Sequence, residues 1–242
     1  MIVDAILVPQ GAEYQSVCRG LKSLPPISIP PVFPIPMGVK PVREYLEKWV
    51  QAGYLRESLE PKVLLMGLCG SLIPKYSVGD IVLYDSCTYL VSSRDFSPSS
   101  SGEDTIDIVT NKCDRTLNNT LSHQLKDKIS LVKGFTSDRV ISAASEKQHL
   151  ANTYNTEVVD MEGFAALAVL NKANIAVSMI RVISDDSQHD LPNITSAISD
   201  NGSLKFLPLA IGMLQQPIRA TRLITGAIRG LAKLEKAAKS LI

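Results

Sequence analysis

Cysteine, histidine, long apolar runs and net charge are all scarce in this chain of 242 residues. The four cysteines, Cys18, Cys69, Cys87 and Cys113, are too few and too far apart for a disulfide framework, and no CxxC pair offers a structural zinc site. His123, His149 and His189 show no metal-ligand spacing and are expected to face solvent, so neither a metal nor an organic cofactor is expected. No uncharged apolar stretch reaches the roughly 18–20 residues that a membrane span needs. Residues 1–9 lack a basic region and carry Asp4 inside an apolar run, which predicts a first strand and not a signal peptide. Finally, 25 Lys and Arg against 24 Asp and Glu leave a net charge of +1, which argues against a dedicated nucleic-acid binder. The expectation is a reduced, soluble protein of the cytoplasm.

What is present is ordinary for a folded chain: 45% hydrophobic and 20% charged residues exclude disorder. Short aliphatic runs such as Ile2–Val8, Val63–Met66, Ile129–Phe135, Thr156–Val159 and Ile175–Ile183 read as strands, and Val78–Val91 reads as a long one. Helical patterns are predicted at Ala12–Ser23, Val42–Glu57, Cys113–Lys128, Ser145–Asn152, Met161–Lys172, Leu204–Gln215 and Pro217–Leu241. Seven of the 14 prolines fall between Pro25 and Pro41, a segment that can form neither a central strand nor a helix interior. Ser92–Asp107 and Gln188–Ser203 read as loops, and Gly67–Gly70 as a turn closing its strand. Alternating strands and helices with no evident linker predict one α/β domain, a sheet covered by helices on both faces.

Ligands of such sheets bind beyond the carboxyl ends of the strands. There the chain places Glu13, Gly67-Leu68-Cys69-Gly70, Asp160-Met161-Glu162 and Ser184-Asp185-Asp186. Acids therefore recur where a pocket is expected. Taken singly, each has a plainer use: Glu13 as a first-turn acid, Asp160 as a helix N-cap, Ser184-Asp185-Asp186 as a strand-ending turn. The glycines match neither GxGxxG nor a phosphate loop, and no nucleophile–histidine set is evident.

The wording of these segments goes further. Gly67-Leu68-Cys69-Gly70-Ser71-Leu72-Ile73-Pro74, continuing to Val78-Gly79-Asp80-Ile81-Val82, resembles the G-x-x-G-x-L-x-P…V-G-D-I-V block of the nucleoside phosphorylase and nucleosidase superfamily. Val159-Asp160-Met161-Glu162-Gly163 is similar to its V-E-M-E-A segment, and Arg181-Val182-Ile183-Ser184-Asp185 to its R-x-I-S-D segment. The resemblance implies a three-layer α/β/α domain, residues 1–242, around a mixed, barrel-like sheet. It also implies a nucleosidase of the methylthioadenosine/S-adenosylhomocysteine type, which cleaves the bond between adenine and ribose through an oxocarbenium-like sugar. Asp185 then matches the acid that protonates the base, which burial and Asp186 are expected to favour; Glu162 matches the carboxylate gripping the ribose, and Glu13 the acid activating water. Met161 matches a residue packing on the sugar; Gly67, Leu68, Cys69, Gly70, Val140, Ser184 and Asp160 fall within or beside the matched blocks as substrate-binding positions.

Departures accompany the match. No arginine stands at Leu64–Leu68 or Pro9-Gln10-Gly11, where phosphorylases bind phosphate, so water is the expected acceptor, with a phosphorylase as one alternative and a non-catalytic nucleoside binder as another. Leu68 and Val140 replace a small polar residue and a base-stacking aromatic. A narrower resemblance, to the hopanoid-associated phosphorylase branch, rests on Asp160-Met161-Glu162, Arg181 through Asp186, Leu191-Pro192 and the basic tail. It implies removal of adenine from an adenosylated triterpenoid, that is, a substrate with an apolar 5′ group. Relatives of this kind are usually dimers or larger, so a homo-oligomer is expected.

The small net charge conceals an asymmetry. From Pro217 to Ile242 there are six basic residues and one acid, a local charge of +5; residues 1–216 carry −4. Arg219, Arg222, Arg229, Lys233 and Lys236 form one stripe beside an apolar one, so segment 217–241 suits either packing on the domain or peripheral contact with an anionic membrane. Gly226-x-x-x-Gly230 is not a transmembrane dimer motif, because charges interrupt the segment.

Overall fold

The computed structural model describes residues 2–22, 25, 29–92, 106–125, 129–192 and 216–241. Eight strands are described in one mixed sheet: β1 (Ala5–Pro9), β2 (Val32–Ile35), β3 (Lys62–Ser71), β4 (Ile81–Ser92), β5 (Ile106–Lys112), β6 (Ser130–Thr136), β7 (Val158–Asp160) and β8 (Ala176–Asp185). Pairing runs β3–β8–β4–β6–β7 and back to β3, which closes a barrel-like ring. β1 and then β2 extend the sheet from β3, and β5 pairs antiparallel with β4.

Helices α1 (Ala12–Leu21), α2 (Val39–Ala52), α3 (Arg115–Gln124), α4 (Ala144–Tyr154), α5 (Gly163–Lys172) and α6 (Pro217–Lys239) surround the ring. On α2, Val39, Val42, Leu46 and Trp49 recur every three to four residues and are buried, the spacing of one helix face. They share a core cluster with Phe164–Leu170 of α5. A second cluster joins Val17 and Leu21 of α1, Leu117 and Leu121 of α3, and Leu234, Ala237 and Ala238 of α6. Helices thus cover both faces of the sheet, as expected. Burial of one such leucine or valine side chain stabilises the fold by about 1.5–3 kcal/mol.

Two expectations need correction, at Gly67–Gly70 and at Asp107. Gly67–Gly70 is not a turn, because β3 continues through it to Ser71. The proline-rich segment forms no central strand, as expected; it supplies β2, an edge strand that among the described residues pairs with β1 alone, where Pro34 is tolerated. The polar loop predicted to run to Asp107 ends earlier, since β5 begins at Ile106. β5 was hidden because five of its seven residues are exposed in succession, so no alternation marks it. The helix expected at Leu204–Gln215 lies outside the described residues, as does most of the Gln188–Ser203 loop.

Among the described residues no helix is long and apolar enough to cross a membrane. α6 lies on the domain, its buried face made by Ala220, Gly226, Gly230, Leu234, Ala237 and Ala238. A Cβ on Gly226 would run into the carbonyl oxygen of Ser184, so the small residues of the Gly226–Gly230 pair serve close packing of α6 on the end of β8. Ile218, Ile224 and Ile228 remain exposed on the outer side.

Candidate active site

Beyond the carboxyl ends of β1, β3 and β8 lies a cavity of about 230 Å³. Glu13, Leu68, Cys69, Gly70, Val140, Asp160, Met161, Glu162, Ser184 and Asp185 all line it, so ten of the eleven sequence-derived positions come together. The eleventh, Gly67, sits beneath: a Cβ there would overlap Arg181 Nη1 and lie 2.6 Å from Glu13 Oε2. The glycine is required by two converging charged groups, not by a turn.

Glu13 enters from the first turn of α1, which follows Gly11 at φ 95°, a conformation that suits glycine. Its Oε2 accepts the Leu68 N–H at 2.7 Å, so the side chain reaches across to β3 and does not cap its own helix. Glu162 stands at the N-cap of α5; Oε1 accepts Gly38 N–H at 3.4 Å and Oε2 accepts Arg181 Nη2–H at 3.4 Å. Asp160 is more fully occupied. Its Oδ1 accepts from Thr136 Oγ1 (2.7 Å) and Gly163 N (3.2 Å), and its Oδ2 from Arg181 Nη2 (3.0 Å). Asp160 therefore combines a capping bond to α5 with the role of counter-charge.

The partner of that counter-charge, Arg181, belongs to a matched segment, but no role was assigned to it from the sequence. Its side chain is 0% exposed, and neither Nε nor Nη1 has a hydrogen-bond partner among the described residues. One guanidinium thus faces three carboxyl groups, a charge balance that keeps a proton in the cluster. Burial pushes Glu13 up to about 7 against the pull of Arg181. Burial likewise raises Glu162, with the charges of Asp160 and Glu13 adding to it and Arg181 opposing. For Arg181 burial works against the charge, yet Asp160 and Glu162 outweigh it and hold the guanidinium firmly protonated.

Asp185 is aimed by a register shift: Cys69 pairs with Ile183 but Gly70 with Asp185, so Ser184 is an extra residue on β8. Such bulges re-aim side chains beside functional sites. A Cβ on Gly70 would lie 2.8 Å from Asp185 Oδ2, so this glycine too makes room for a carboxylate. Ser184 Oγ stands 3.0 Å from Asp185 Oδ1. The neighbouring Asp186 carboxyl is engaged by the turn that follows it. Although burial opposes it, the Gln188 and His189 amides and the His189 ring hold that carboxyl below its ordinary range, engaged within its own turn. What contacts Asp185 instead is a cation, the Nζ of Lys147.

Lys147 was missed outright. A lysine in a predicted helix reads as solvent-facing, yet it shares the buried face of α4 with Leu150 and Ala151, three and four residues on; that spacing was the available signal. The cavity wall also recruits Met37, Leu191, Leu223 and Ala227, none of which was among the site positions drawn from the sequence. His123, His149 and His189 are exposed, as expected.

The barrel-like α/β ring thus carries an acid-lined cavity at its strand ends. The chain belongs to the phosphorylase superfamily, whose family model matches residues 54–203. No curated protein matches the sequence. Similar solved structures include native futalosine hydrolase of Helicobacter pylori, with TM-score 0.65 and 15% identity over 98% of this chain and 95% of that one. Another is the 5′-methylthioadenosine/S-adenosylhomocysteine nucleosidase of H. pylori with butyl-thio-DADMe-Immucillin-A, with TM-score 0.65 and 15% identity over 98% of this chain and 96% of that one. The nucleosidase of Streptococcus pneumoniae in complex with 8-aminoadenine has TM-score 0.58 and 16% identity over 96% and 98% of the two chains. These likenesses establish the shared fold.

Proposed function

We propose that the protein is an N-ribosyl hydrolase that cleaves the glycosidic bond of an adenine-type nucleoside bearing an apolar 5′ substituent. The observation that carries this is the convergence of Glu13, Glu162 and Asp185 on one cavity around buried Arg181. In the reaction the C1′–N9 bond breaks and positive charge develops on the sugar, as in glycoside hydrolysis. The anionic cluster stabilises that charge, and Glu162 is placed to grip the ribose hydroxyls. Asp185 protonates the base at N7. Glu13 takes the proton of the attacking water.

Water is preferred to phosphate for an electrostatic reason. Arg139, the cation lining the cavity, is paired with Glu146, and Arg181 is outnumbered by carboxyls, so a phosphate dianion would enter a negative field. Leu68, Met37, Leu223 and Ala227 supply an apolar wall that suits a methylthio, homocysteinyl or longer hydrocarbon 5′ group, adenosylhopane included. A second copy at the pocket mouth and action in the cytoplasm go with the same reading. Exposed Ile218, Ile224 and Ile228 next to Arg222 and Arg229 support peripheral contact of 217–241 with an anionic membrane.

The test is adenine release from methylthioadenosine, followed with and without phosphate. Release at the same rate in both, with free sugar as product, is expected. Phosphate-dependent turnover would make the protein a phosphorylase, and no base release from any purine nucleoside would leave a binding protein. The pH profile adds a second check. Because Glu13 acts ionised and burial lifts it to about 7, kcat/KM falls by about tenfold per pH unit below that point. An acid limb at the ordinary value of 4.5 would remove Glu13 from the role of base.

A further inference from the structure

Lys147 stands beside the cavity and has no part in the chemistry above. Its side chain is 0% exposed; Nζ bonds Asp185 Oδ2 and donates to the Asp186 carbonyl oxygen at 2.6 Å. The neighbouring Glu146 is engaged with Arg139. Burying an ammonium group is costly even when it is paired. A need to tether α4 to the segment after β8 does not explain that cost, because two hydrogen bonds donated by backbone amides already do so. Ala144 N–H is accepted by Asp190 Oδ1 at 2.9 Å, and Leu191 N–H by the Ser142 carbonyl at 2.8 Å.

The bond between Nζ and Oδ2 has a further property. An ammonium beside a carboxylate and an amine beside a carboxylic acid make the same two hydrogen bonds, to Asp185 and to the Asp186 carbonyl. The proton can therefore cross without any group moving. We infer that Lys147 is a positioning residue that also supplies the proton: it aims Asp185 and recharges it as the base departs. This inference rests on the N-ribosyl hydrolase reading.

The C1′–N9 electron pair goes to the base as the single proton that the pair shares crosses from Lys147 to Asp185 and on to N7, which leaves Asp185 a carboxylate and Lys147 a neutral amine. Water adds to C1′ and gives its proton to Glu13. On product release Glu13 loses that proton to solvent, and Lys147 regains one from it. The catalytic carboxyl thus need not keep a proton of its own between turnovers, because the pair keeps it.

The experiment compares wild type, Lys147→Met and Lys147→Arg on two substrates. One is methylthioadenosine; the other is a 4-nitrophenyl riboside with the same 5′-methylthio group, whose nitrophenolate leaves without a proton. Both variants should lose about 100-fold or more in kcat/KM on methylthioadenosine and stay within about threefold of wild type on the nitrophenyl substrate. Arginine keeps the positive charge but does not give up its proton, so its failure to rescue separates a proton supplier from a counter-charge. Equal losses on both substrates, full rescue by arginine, or unfolding of both variants would overturn the inference. A wild type that cleaves neither substrate would overturn the hydrolase reading itself.

Discussion

Asp185→Asn lowers kcat for adenine release from methylthioadenosine by about 10²–10⁴-fold, with KM little changed. The substitution keeps shape and keeps an acceptor for Ser184 Oγ and Lys147 Nζ, both of which now hold the Asp185 carboxylate. What it removes is the ability to hand a proton to the leaving base, a need that exists in the transition state and not in the bound substrate. It also leaves Lys147 buried without its counter-charge, which lowers stability by about 3–5 kcal/mol if the ammonium stays charged. Lys147→Met combined with Asp185→Asn separates the two effects: thermal stability should return while activity stays lost. Activity in the single variant close to wild type would end the assignment of Asp185 as acid. Recovery of activity in the double variant would show that the single loss came from misfolding.

How much of this site was legible in the sequence follows from which physical signals are local. Strand-ending acids are local, and Glu13, Glu162 and Asp185 could be placed at one end of the sheet from the alternation of strands and helices alone. The glycines were visible but misread. Gly67 and Gly70 look like a turn in one dimension, whereas in space they are the points where Arg181, Glu13 and Asp185 approach the backbone of β3. That approach depends on the parallel pairing of β3 with β8, between residues more than a hundred positions apart.

Lys147 and the wall from α6 failed for the same reason: a lysine reveals its burial only through what packs over it. The basic stripe of the tail was read correctly as a helix. However, Leu223 and Ala227 turn inward from it to line the cavity, so the tail is part of the site as well as a candidate membrane contact. β5 was lost because an exposed edge strand carries no buried face to pattern its sequence.

Arg181→Leu is expected to cost about 3–5 kcal/mol, which corresponds to a fall in Tm of roughly 6–20 °C for a domain of this size. Leucine fills part of the volume, so the loss is electrostatic in the main. Asp160 and Glu162 lose the cation that both contact, inside a wall that is 5% and 4% exposed at those residues. The pH dependence carries the test. Burial already raises Glu13 and Glu162 above their unfolded value of 4.5, so the folded state binds protons more tightly than the unfolded chain, and these groups lower stability as pH rises. Arg181 opposes that rise for both glutamates; without it they hold their protons to still higher pH. At pH 5 the variant satisfies the cluster by protonation, and the gap to wild type is small. At pH 8 it must either ionise unpaired buried carboxyls or retain protons against solvent, and the gap is widest. Arg181→Leu combined with Glu162→Gln should therefore regain stability at pH 8 and little at pH 5. A deficit independent of pH would instead assign Arg181 to packing alone, and the carboxyl cluster would then owe its arrangement to the strand ends and not to the guanidinium between them.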